Sequence, residues 1–338
     1  MRPLEGSTRR SKMPMNNFGL YQAASVQDAV NMLNQYPPTQ AKIIAGGTDL
    51  LYRNKNYIQY HQPQVYVDIS TIPNLDYINA GSDGLHIGPM ASITEVVNNS
   101  TVISNYNILN QAGSQAASPQ LRNMATVVGD VVQETWCWYL RYNYPCWRNG
   151  GNTCYGAIGD NRYYHSIFGG RLCYAVHGSD LAPALLAMDA QVTITSPSGT
   201  RTATIDQLLP GITMIDGTVK ADSLAFNEMI TDLFIPSTFS GAKSNYTKIR
   251  VRPAWDFALA SAAVVRSSSA ARIVLGGVDV QPRRFQGGES MLAGASVTQS
   301  LANSIGTAAV AGATPLALNA FRIGLASTAV SRAVMAVA

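Results

Sequence analysis

Residues 118–190 read SPQLRNMATVVGDVVQETWCWYLRYNYPCWRNGGNTCYGAIGDNRYYHSIFGGRLCYAVHGSDLAPALLAMDA. All four cysteines of the 338-residue chain lie in this stretch, together with many of its tryptophans and tyrosines. Small and polar residues enclose the cysteines on both sides, as TVVGD at 126–130 and SDLAP at 179–183. This pattern predicts a cysteine-bearing insert within a larger domain.

The cysteines follow the spacing C-x8-C-x7-C-x18-C, which leaves three interpretations open. Disulfides would require an oxidising compartment, and four cysteines permit three pairings. Structural zinc usually shows a C-x2-4-C knuckle, which this spacing lacks. An iron–sulfur cluster tolerates more variable spacing, because the fold brings the thiolates together. Spacing alone does not choose among the three.

The residues around the cysteines favour iron–sulfur. Aromatic side chains would shield a cluster from water, and arginines would offset its negative charge. The residues in question are Trp136, Trp138, Tyr139, Tyr142, Tyr144, Trp147, Arg141 and Arg148. His165 and His177 are interpreted as ordinary polar residues, because four cysteines already complete the ligand set of a four-iron cluster.

A second motif, IIAGGTDL at 43–50, follows a short apolar strand. Two glycines let the backbone turn sharply and approach a ligand closely. Successive free N–H groups there can hold a diphosphate, and Thr48 adds a hydroxyl donor. The alternative is a simple tight turn between a strand and a helix, since Gly-Gly pairs are common in turns.

Three further positions are candidates for contacts to the same ligand. TVVGD at 126–130 is a second small-residue loop that could hold the diphosphate from the other side. Asp180 is either a helix cap or an acceptor for ribityl or ribose hydroxyls. Lys248 is either a partner for a phosphate or flavin ring, or a solvated lysine on a strand.

Composition excludes several classes of protein. A net charge of +4 is too small and too scattered for a nucleic-acid partner. No run of about 18 uncharged apolar residues occurs, so we expect no membrane span. Arg9 and Arg10 precede no apolar segment, so we expect neither a secretory nor a twin-arginine signal. Charged residues make up only 13%, against about 25% in a typical domain, which suits a surface partly buried by other subunits.

Strands and helices mix without regular βαβ alternation, which indicates an α+β fold. A capping box at Ser25 predicts a helix to about Tyr36. ALASAAVVR at 258–266 is too short to assign by periodicity, and PSTFSGAKS at 236–244 is predicted to be a linker. Strands are predicted at 41–45, 65–69, 85–87, 192–195, 229–235, 246–251 and 272–278.

Five motifs, in this order, resemble the FAD-binding medium subunit of the molybdenum hydroxylases, the family of xanthine dehydrogenase and aldehyde oxidoreductase. They are AGGTDL at 45–50, HIGPMASITEV at 86–96, SPQLRNMATVVGD at 118–130, SDLAPALLAMDAQV at 179–192 and YTKIRVRPAWDFALA at 246–260. The resemblance begins at about Met15 and covers nearly the whole chain. It implies a two-subdomain FAD-binding domain of the PCMH type and a C-terminal α+β domain like that of CO dehydrogenase flavoproteins.

The resemblance implies domain boundaries and FAD contacts. The divisions are a tail at 1–14, the FAD-binding domain at 15–236 (subdomains about 15–70 and 71–236, iron–sulfur insert 131–178) and the C-terminal domain at 244–338. FAD would contact Ile43, Ile44, Ala45, Gly46, Gly47, Thr48, Asp49, Leu50, Ala116, Thr126, Val127, Val128, Gly129, Asp130, Asp180, Ile230 and Lys248. Val128 replaces a glycine of the T-x-G-G-N pattern of many relatives, so the backbone is expected to approach FAD less closely there.

Within the family, the insert resembles that of 4-hydroxybenzoyl-CoA reductase and of periplasmic aldehyde oxidoreductases. Their flavin subunits carry an additional [4Fe-4S] cluster between the same two FAD motifs. By this resemblance, Cys137, Cys146, Cys154 and Cys173 would be the four ligands.

The resemblance therefore implies an electron-transfer flavin subunit of a heterotrimeric molybdenum hydroxylase. Its partners would be a small [2Fe-2S] subunit, a large molybdopterin subunit and an external electron acceptor. No catalytic residue is assigned, and the chain is not expected to oxidise substrate alone. We expect the compartment to be cytoplasmic, or periplasmic by export with a partner subunit. Two alternatives remain: a standalone FAD-dependent oxidase with structural zinc or disulfides, and a non-catalytic scaffold that binds no cofactor.

Overall fold

The computed structural model describes residues 16–56, 58 and 62–338, so the predicted tail at 1–14 lies outside it. The N-terminal part is a three-stranded parallel sheet in the order β1–β3–β2. Ser25 caps the first helix by accepting a hydrogen bond from the Asp28 N–H, as its sequence predicts. The elements are β1 (Gly19–Gln22), α1 (Val26–Asn34), β2 (Ala41–Ile44), α2 (Leu50–Lys55) and β3 (Val65–Asp68).

The second sheet has five antiparallel strands in the order β4–β5–β10–β6–β7. One face packs against a helical layer and forms the largest apolar core of the described residues. The strands are β4 (Ile78–Ala80), β5 (Gly84–Ile87), β6 (Gln191–Ser196), β7 (Gly199–Thr204) and β10 (Met229–Pro236), with a separate hairpin of β8 (Thr213–Ile215) and β9 (Thr218–Lys220). The helices are α3 (Ile93–Asn98), α4 (Ser100–Asn105), α5 (Asn107–Ser114), α6 (Pro119–Arg122), α7 (Val127–Val131), α10 (Leu181–Ala187) and α11 (Ile205–Leu208).

The cysteine-bearing region at 131–178 has little regular structure. Two short helices, α8 (Trp138–Arg141) and α9 (Tyr155–Ile158), are joined by loops and one 3₁₀ turn. Its small core combines Leu140 and Ala175 with three of the cysteines. So few apolar contacts give this region little stability of its own, and it depends on side-chain bonds to its neighbours.

The C-terminal part is a four-stranded antiparallel sheet that is covered on both faces. ALASAAVVR at 258–266, unassigned from sequence, contains the central strand β12, whose alternate residues enter two different cores. Ala263 and Val265 face α10, whereas Ala262 and Val264 face the C-terminal helices. The elements are β11 (Lys243–Ile249), β12 (Ala260–Arg266), β13 (Ala271–Gly276), β14 (Arg283–Arg284), α12 (Gln286–Leu292), α13 (Gln299–Ala309) and α14 (Arg322–Met335).

The segment predicted as a linker at 236–244 connects the two larger sheets and buries one side chain, that of Phe239. It forms a 3₁₀ turn whose Phe239 is 2% exposed and joins the largest core. Arg272 stacks its guanidinium over the Phe239 ring at 5.0 Å and forms an ion pair with Asp189 at 2.9 Å. These contacts fix the C-terminal sheet against the part of the chain that precedes residue 236.

Arg322 joins the cysteine-bearing region to the C-terminal sheet, and no carboxylate of the described residues pairs with it. Its guanidinium is fully buried and donates to the carbonyl oxygens of His165, Leu259 and Gly277. Because burial disfavours the charged form, the pKa of Arg322 is lowered to about 10, and it remains protonated at neutral pH.

We expect Arg322→Leu to lower the free energy of unfolding by about 3 kcal/mol, because it removes the Arg322 donors from the buried carbonyl groups of Leu259 and Gly277, while Asn319 still donates to that of His165. Urea unfolding followed by circular dichroism measures the change. Arg332→Leu is the matched control, since Arg332 lies exposed on the same helix. Equal stability of the two variants would contradict the structural role of Arg322.

Candidate functional site

A tight turn follows β2 and lies against a second turn of the chain. A Cβ atom at Gly46 would lie 1.7 Å from the carbonyl oxygen of Met124, so only glycine permits this approach. Gly47 has φ of +68°, in the left-handed region that favours glycine. The glycine pair therefore sets the distance between the two turns.

The second turn starts α7 and is fixed at both of its ends. Thr126 caps the helix by accepting a hydrogen bond from the Gly129 N–H at 3.1 Å. Val127 donates its N–H to the carbonyl oxygen of Ala91 at 3.0 Å. The free edge of this turn faces the first turn.

A cavity of about 720 Å³ is lined by both turns, and its volume suits a cofactor or other small molecule. All predicted FAD contacts except Ile44, Val127 and Lys248 line it. Ile44 lies between two lining residues, Ile43 and Ala45, but is not itself among them. Val127 is 1% exposed and belongs to the main core. The lining members are Ile43, Ala45, Gly46, Gly47, Thr48, Asp49, Leu50, Ala116, Thr126, Val128, Gly129, Asp130, Asp180 and Ile230.

Lys248 reaches this cavity only through Asp180. Its ammonium lies 2.6 Å from the Asp180 carboxylate and donates to the carbonyl oxygen of Gln115 at 3.1 Å. The other oxygen of Asp180 accepts from the Tyr246 hydroxyl at 2.7 Å. Asp180 therefore stands at the cavity wall in a fixed orientation.

Asp130 is the buried carboxyl group of the second turn. It accepts hydrogen bonds from Ser179 and from the Gln133 side chain. Burial, followed by repulsion from Asp180, raises the pKa of Asp130 to about 7, although the bond from Ser179 opposes the shift. Asp130 lines the cavity, and a pKa near 7 leaves it partly protonated at neutral pH.

Asp49, at the end of the first turn, connects the cavity to the cysteine-bearing region. Its carboxylate accepts from Arg141 at 2.7 Å and from the Glu134 N–H at 3.0 Å, and it lies 3.3 Å from Arg53. Burial raises its pKa, but Arg53 and Arg141 outweigh this and hold the pKa of Asp49 below its ordinary value. Arg148, at the centre of the insert, pairs with Glu134.

An aromatic wall continues from this ion-pair network. Trp136 stacks against Phe257 with ring centres 5.2 Å apart, and Arg141 lies over the Trp136 ring at 4.7 Å. Trp136 and Phe257 both line the cavity. Sequence reasoning assigned Trp136 only to the shielding of a cluster, whereas it also forms part of the cofactor cavity.

Lys42 is a second lining residue that sequence reasoning missed. Its pKa is lowered to about 8, first by burial and then by the cations Lys220 and Arg53. The side chain faces the cavity. One feature of the sequence indicates that Lys42 has a special role: it is a lysine within the otherwise apolar strand AKII at 41–44.

The four cysteine side chains converge on a second, small cavity of about 10 Å³. None of them forms a disulfide. Burial raises the pKa of the Cys137 thiol to about 12 and that of Cys173 to about 11, and neighbouring cysteines contribute to both shifts. In the part of the chain that the structure describes, no group of three or more His, Cys, Asp or Glu side chains is arranged to hold a metal ion.

The two cavities adjoin each other. Trp136 lines the large cavity and Cys137, the next residue, lines the small one. Arg148 lines both. The insert is therefore part of the wall of the large cavity.

The comparisons with known proteins agree with this architecture. Residues 16–238 match the family described as FAD binding domain in molybdopterin dehydrogenase, and residues 245–337 match the CO dehydrogenase flavoprotein C-terminal domain. The chain belongs to the family of FAD-binding medium subunits of the molybdenum hydroxylases, and the predicted α+β fold class is confirmed.

Particular relatives extend over most of the chain. The aldehyde oxidoreductase FAD-binding subunit PaoB of Escherichia coli (strain K12) is 33% identical, covering 85% of this chain and 88% of that protein. The carbon monoxide dehydrogenase medium chain of Hydrogenophaga pseudoflava is 26% identical, covering 87% and 86%. The structure of that organism's carbon monoxide dehydrogenase lacking the Mo-pyranopterin moiety matches with a TM-score of 0.74 and 25% identity over 96% of this chain and 98% of its own.

Across residues 16–56, 58 and 62–338, no helix combines the length and the apolar character needed to cross a bilayer.

We expect Gly46→Ala to weaken FAD binding at least about tenfold, because the added methyl group collides with the Met124 carbonyl and forces the two turns apart. Flavin fluorescence titration of the FAD-depleted protein measures the dissociation constant. Gly312→Ala is the control, since no atom lies within 4 Å of a Cβ built there. Unchanged FAD affinity in Gly46→Ala would contradict the role given to this close approach.

We expect Asp130→Asn to stabilise the FAD-free protein more at pH 8 than at pH 4.5. A carboxyl group whose pKa is about 7 in the folded state and 3.8 when unfolded loses stability as pH rises between those values. The amide removes this loss, up to a limit of about 4 kcal/mol. Urea unfolding at both pH values measures the difference, and an equal effect at both would contradict it.

Proposed function

We propose that this chain is the electron-transfer flavin subunit of a three-subunit molybdenum hydroxylase. In this proposal it works with a small [2Fe-2S] subunit and a large molybdopterin subunit, and passes electrons through FAD to an external acceptor. The relatives support this, since they are named as medium chains or FAD-binding subunits of aldehyde and carbon monoxide oxidoreductases. The compartment we propose is cytoplasmic, or periplasmic through export with a partner.

The observation that carries the proposal is the large cavity between two glycine-bearing turns. Their N–H groups, with the Thr48 hydroxyl, are suited to a diphosphate. We propose as FAD contacts the residues at 43–50, Ala116, those at 126–130, Asp180 and Ile230, with Lys248 acting through Asp180. Bound FAD supplies an acceptor that takes electrons singly and releases them in pairs.

The protein's own residues hold and orient the flavin in this proposal. Asp180, fixed by Lys248 and Tyr246, offers a carboxylate to ribityl or ribose hydroxyls. Ile230 and Trp136 supply apolar walls that exclude water. No residue is assigned as a proton donor or acceptor to a substrate, since substrate oxidation belongs to the large subunit.

We also propose that Cys137, Cys146, Cys154 and Cys173 bind an additional [4Fe-4S] cluster. Their convergence on one cavity, with Arg148 beside them, supports it. A single zinc ion needs its ligands about 2.3 Å from one point, whereas each thiolate of a four-iron cluster binds a different iron.

The domain boundaries belong to the same proposal. We propose a tail at 1–14, an FAD-binding domain at 15–236 with the insert at 131–178, and a C-terminal domain at 244–338. The three larger sheets of the fold support this division, since each lies mainly within one proposed unit.

Anaerobic purification followed by iron analysis and EPR spectroscopy tests the cluster. We expect Cys146→Ser to lose more than about half of the iron and the signal of the reduced cluster, because an alkoxide replaces a thiolate poorly as an iron ligand. Tyr142→Phe is the control, since Tyr142 lies in the same insert and is 79% exposed. Full iron retention in Cys146→Ser would remove Cys146 from the ligand set, and wild-type protein with FAD but no iron would end the cluster proposal.

A further inference from the structure

The buried imidazole of His165 lies against one of the proposed cluster ligands. Its Nε2 atom is 3.4 Å from the sulfur of Cys137. The side chain is fully buried, and His165 is not itself among the residues that line the small cavity. The ring therefore contacts the Cys137 sulfur without lining the cavity, which suits a hydrogen-bond partner of a cluster ligand.

The ring of His165 has little freedom to turn away. A Cβ atom at Gly156 would lie 2.5 Å from both Cδ2 and Nε2 of the imidazole, so this glycine makes room for the ring on the cluster side. Arg322 and Asn319 both donate to the carbonyl oxygen of His165, which fixes its backbone from the C-terminal domain. These contacts hold Nε2 toward the sulfur.

The hydrogen-bond partners decide which nitrogen carries the proton. Nδ1 of His165 is buried and has no hydrogen-bond partner among the described residues. A neutral ring therefore places its single proton on Nε2, where the sulfur of Cys137 can accept it. A protonated ring would also carry a proton on Nε2, so a donor faces the sulfur in either charge state.

We propose that His165 is a positioning residue that donates a hydrogen bond from Nε2 to the Cys137 thiolate and thereby raises the reduction potential of the cluster. This inference rests on the proposed [4Fe-4S] site. Hydrogen bonds to ligating sulfurs stabilise the reduced cluster more than the oxidised one, because the reduced form carries one more negative charge. The potential of the centre is then set partly by a group that the C-terminal domain holds in place.

The test is an EPR-monitored redox titration of the intact subunit complex, with iron content measured on the same samples. His165→Leu removes the donor at similar volume, and we expect its midpoint potential to fall so that the oxidised-to-reduced ratio changes about tenfold, which is about 59 mV for one electron. His165→Gln keeps an N–H at the Nε2 position and should stay near the wild-type potential. His177→Leu is the control for loss of a buried imidazole, since His177 Nε2 lies 3.1 Å from the Val131 carbonyl oxygen and bonds no cysteine.

Each outcome decides the inference. A wild-type potential in His165→Leu with full iron would overturn it while leaving the cluster proposal intact. Wild-type protein without iron would overturn the cluster proposal itself. Should His165→Leu fail to assemble, the comparison rests on His165→Gln: full iron and a near-wild-type potential support the donor, whereas loss of iron or an altered EPR line shape would make His165 a ligand or a packing group and overturn it.

Discussion

The rest of the structure depends on the carboxylate of Asp49. It follows the glycine turn directly, and it holds Arg141 at 2.7 Å and Arg53 at 3.3 Å while accepting the Glu134 N–H. Burying a charge in this way is costly unless partners compensate it, and removing one partner would leave the others uncompensated. The network therefore fixes the first turn, the insert and the aromatic wall relative to each other. An insert with little regular structure gains its position from this carboxylate and not from a core of its own.

The C-terminal part supports the same site from the opposite side. Lys248 on β11 sets the orientation of Asp180 at the cavity wall, and Arg322 on α14 holds the backbone of His165. Both cationic side chains contact residues of the FAD-binding part, Asp180 and His165. This explains why a chain with only 13% charged residues still places several of its charges in buried positions: they serve as connections between its parts, where each must be paired or hydrogen-bonded.

Local patterns predicted the local structure well, and long-range contacts were not accessible from sequence. The Ser25 cap and the glycine turn follow from residues within a few positions of each other. The Asp49–Arg141 pair joins residues 92 positions apart, and Arg322 reaches back 157 positions to His165, so no local pattern indicates either. The resemblance supplied the contact region but not the position of each side chain: of the neighbours Ile43, Ile44 and Ala45, only the first and the last line the cavity. His165 was judged polar and ordinary, because the nearness of its ring to Cys137 depends on the fold of the insert.

The charge balance of the insert bears on why the two cavities adjoin. Three guanidinium groups, of Arg53, Arg141 and Arg148, share the carboxylates of Asp49 and Glu134. Asp222 is a further anion that acts on Arg148. Arg148 lines both cavities, so negative charge in either one acts on the same buried guanidinium. The proposed occupants, a ligand set of four thiolates and the diphosphate of a dinucleotide, are both anionic. Either one would be stabilised by the guanidinium of Arg148. Occupation of one cavity is then expected to change the electrostatic potential in the other, through the guanidinium of Arg148.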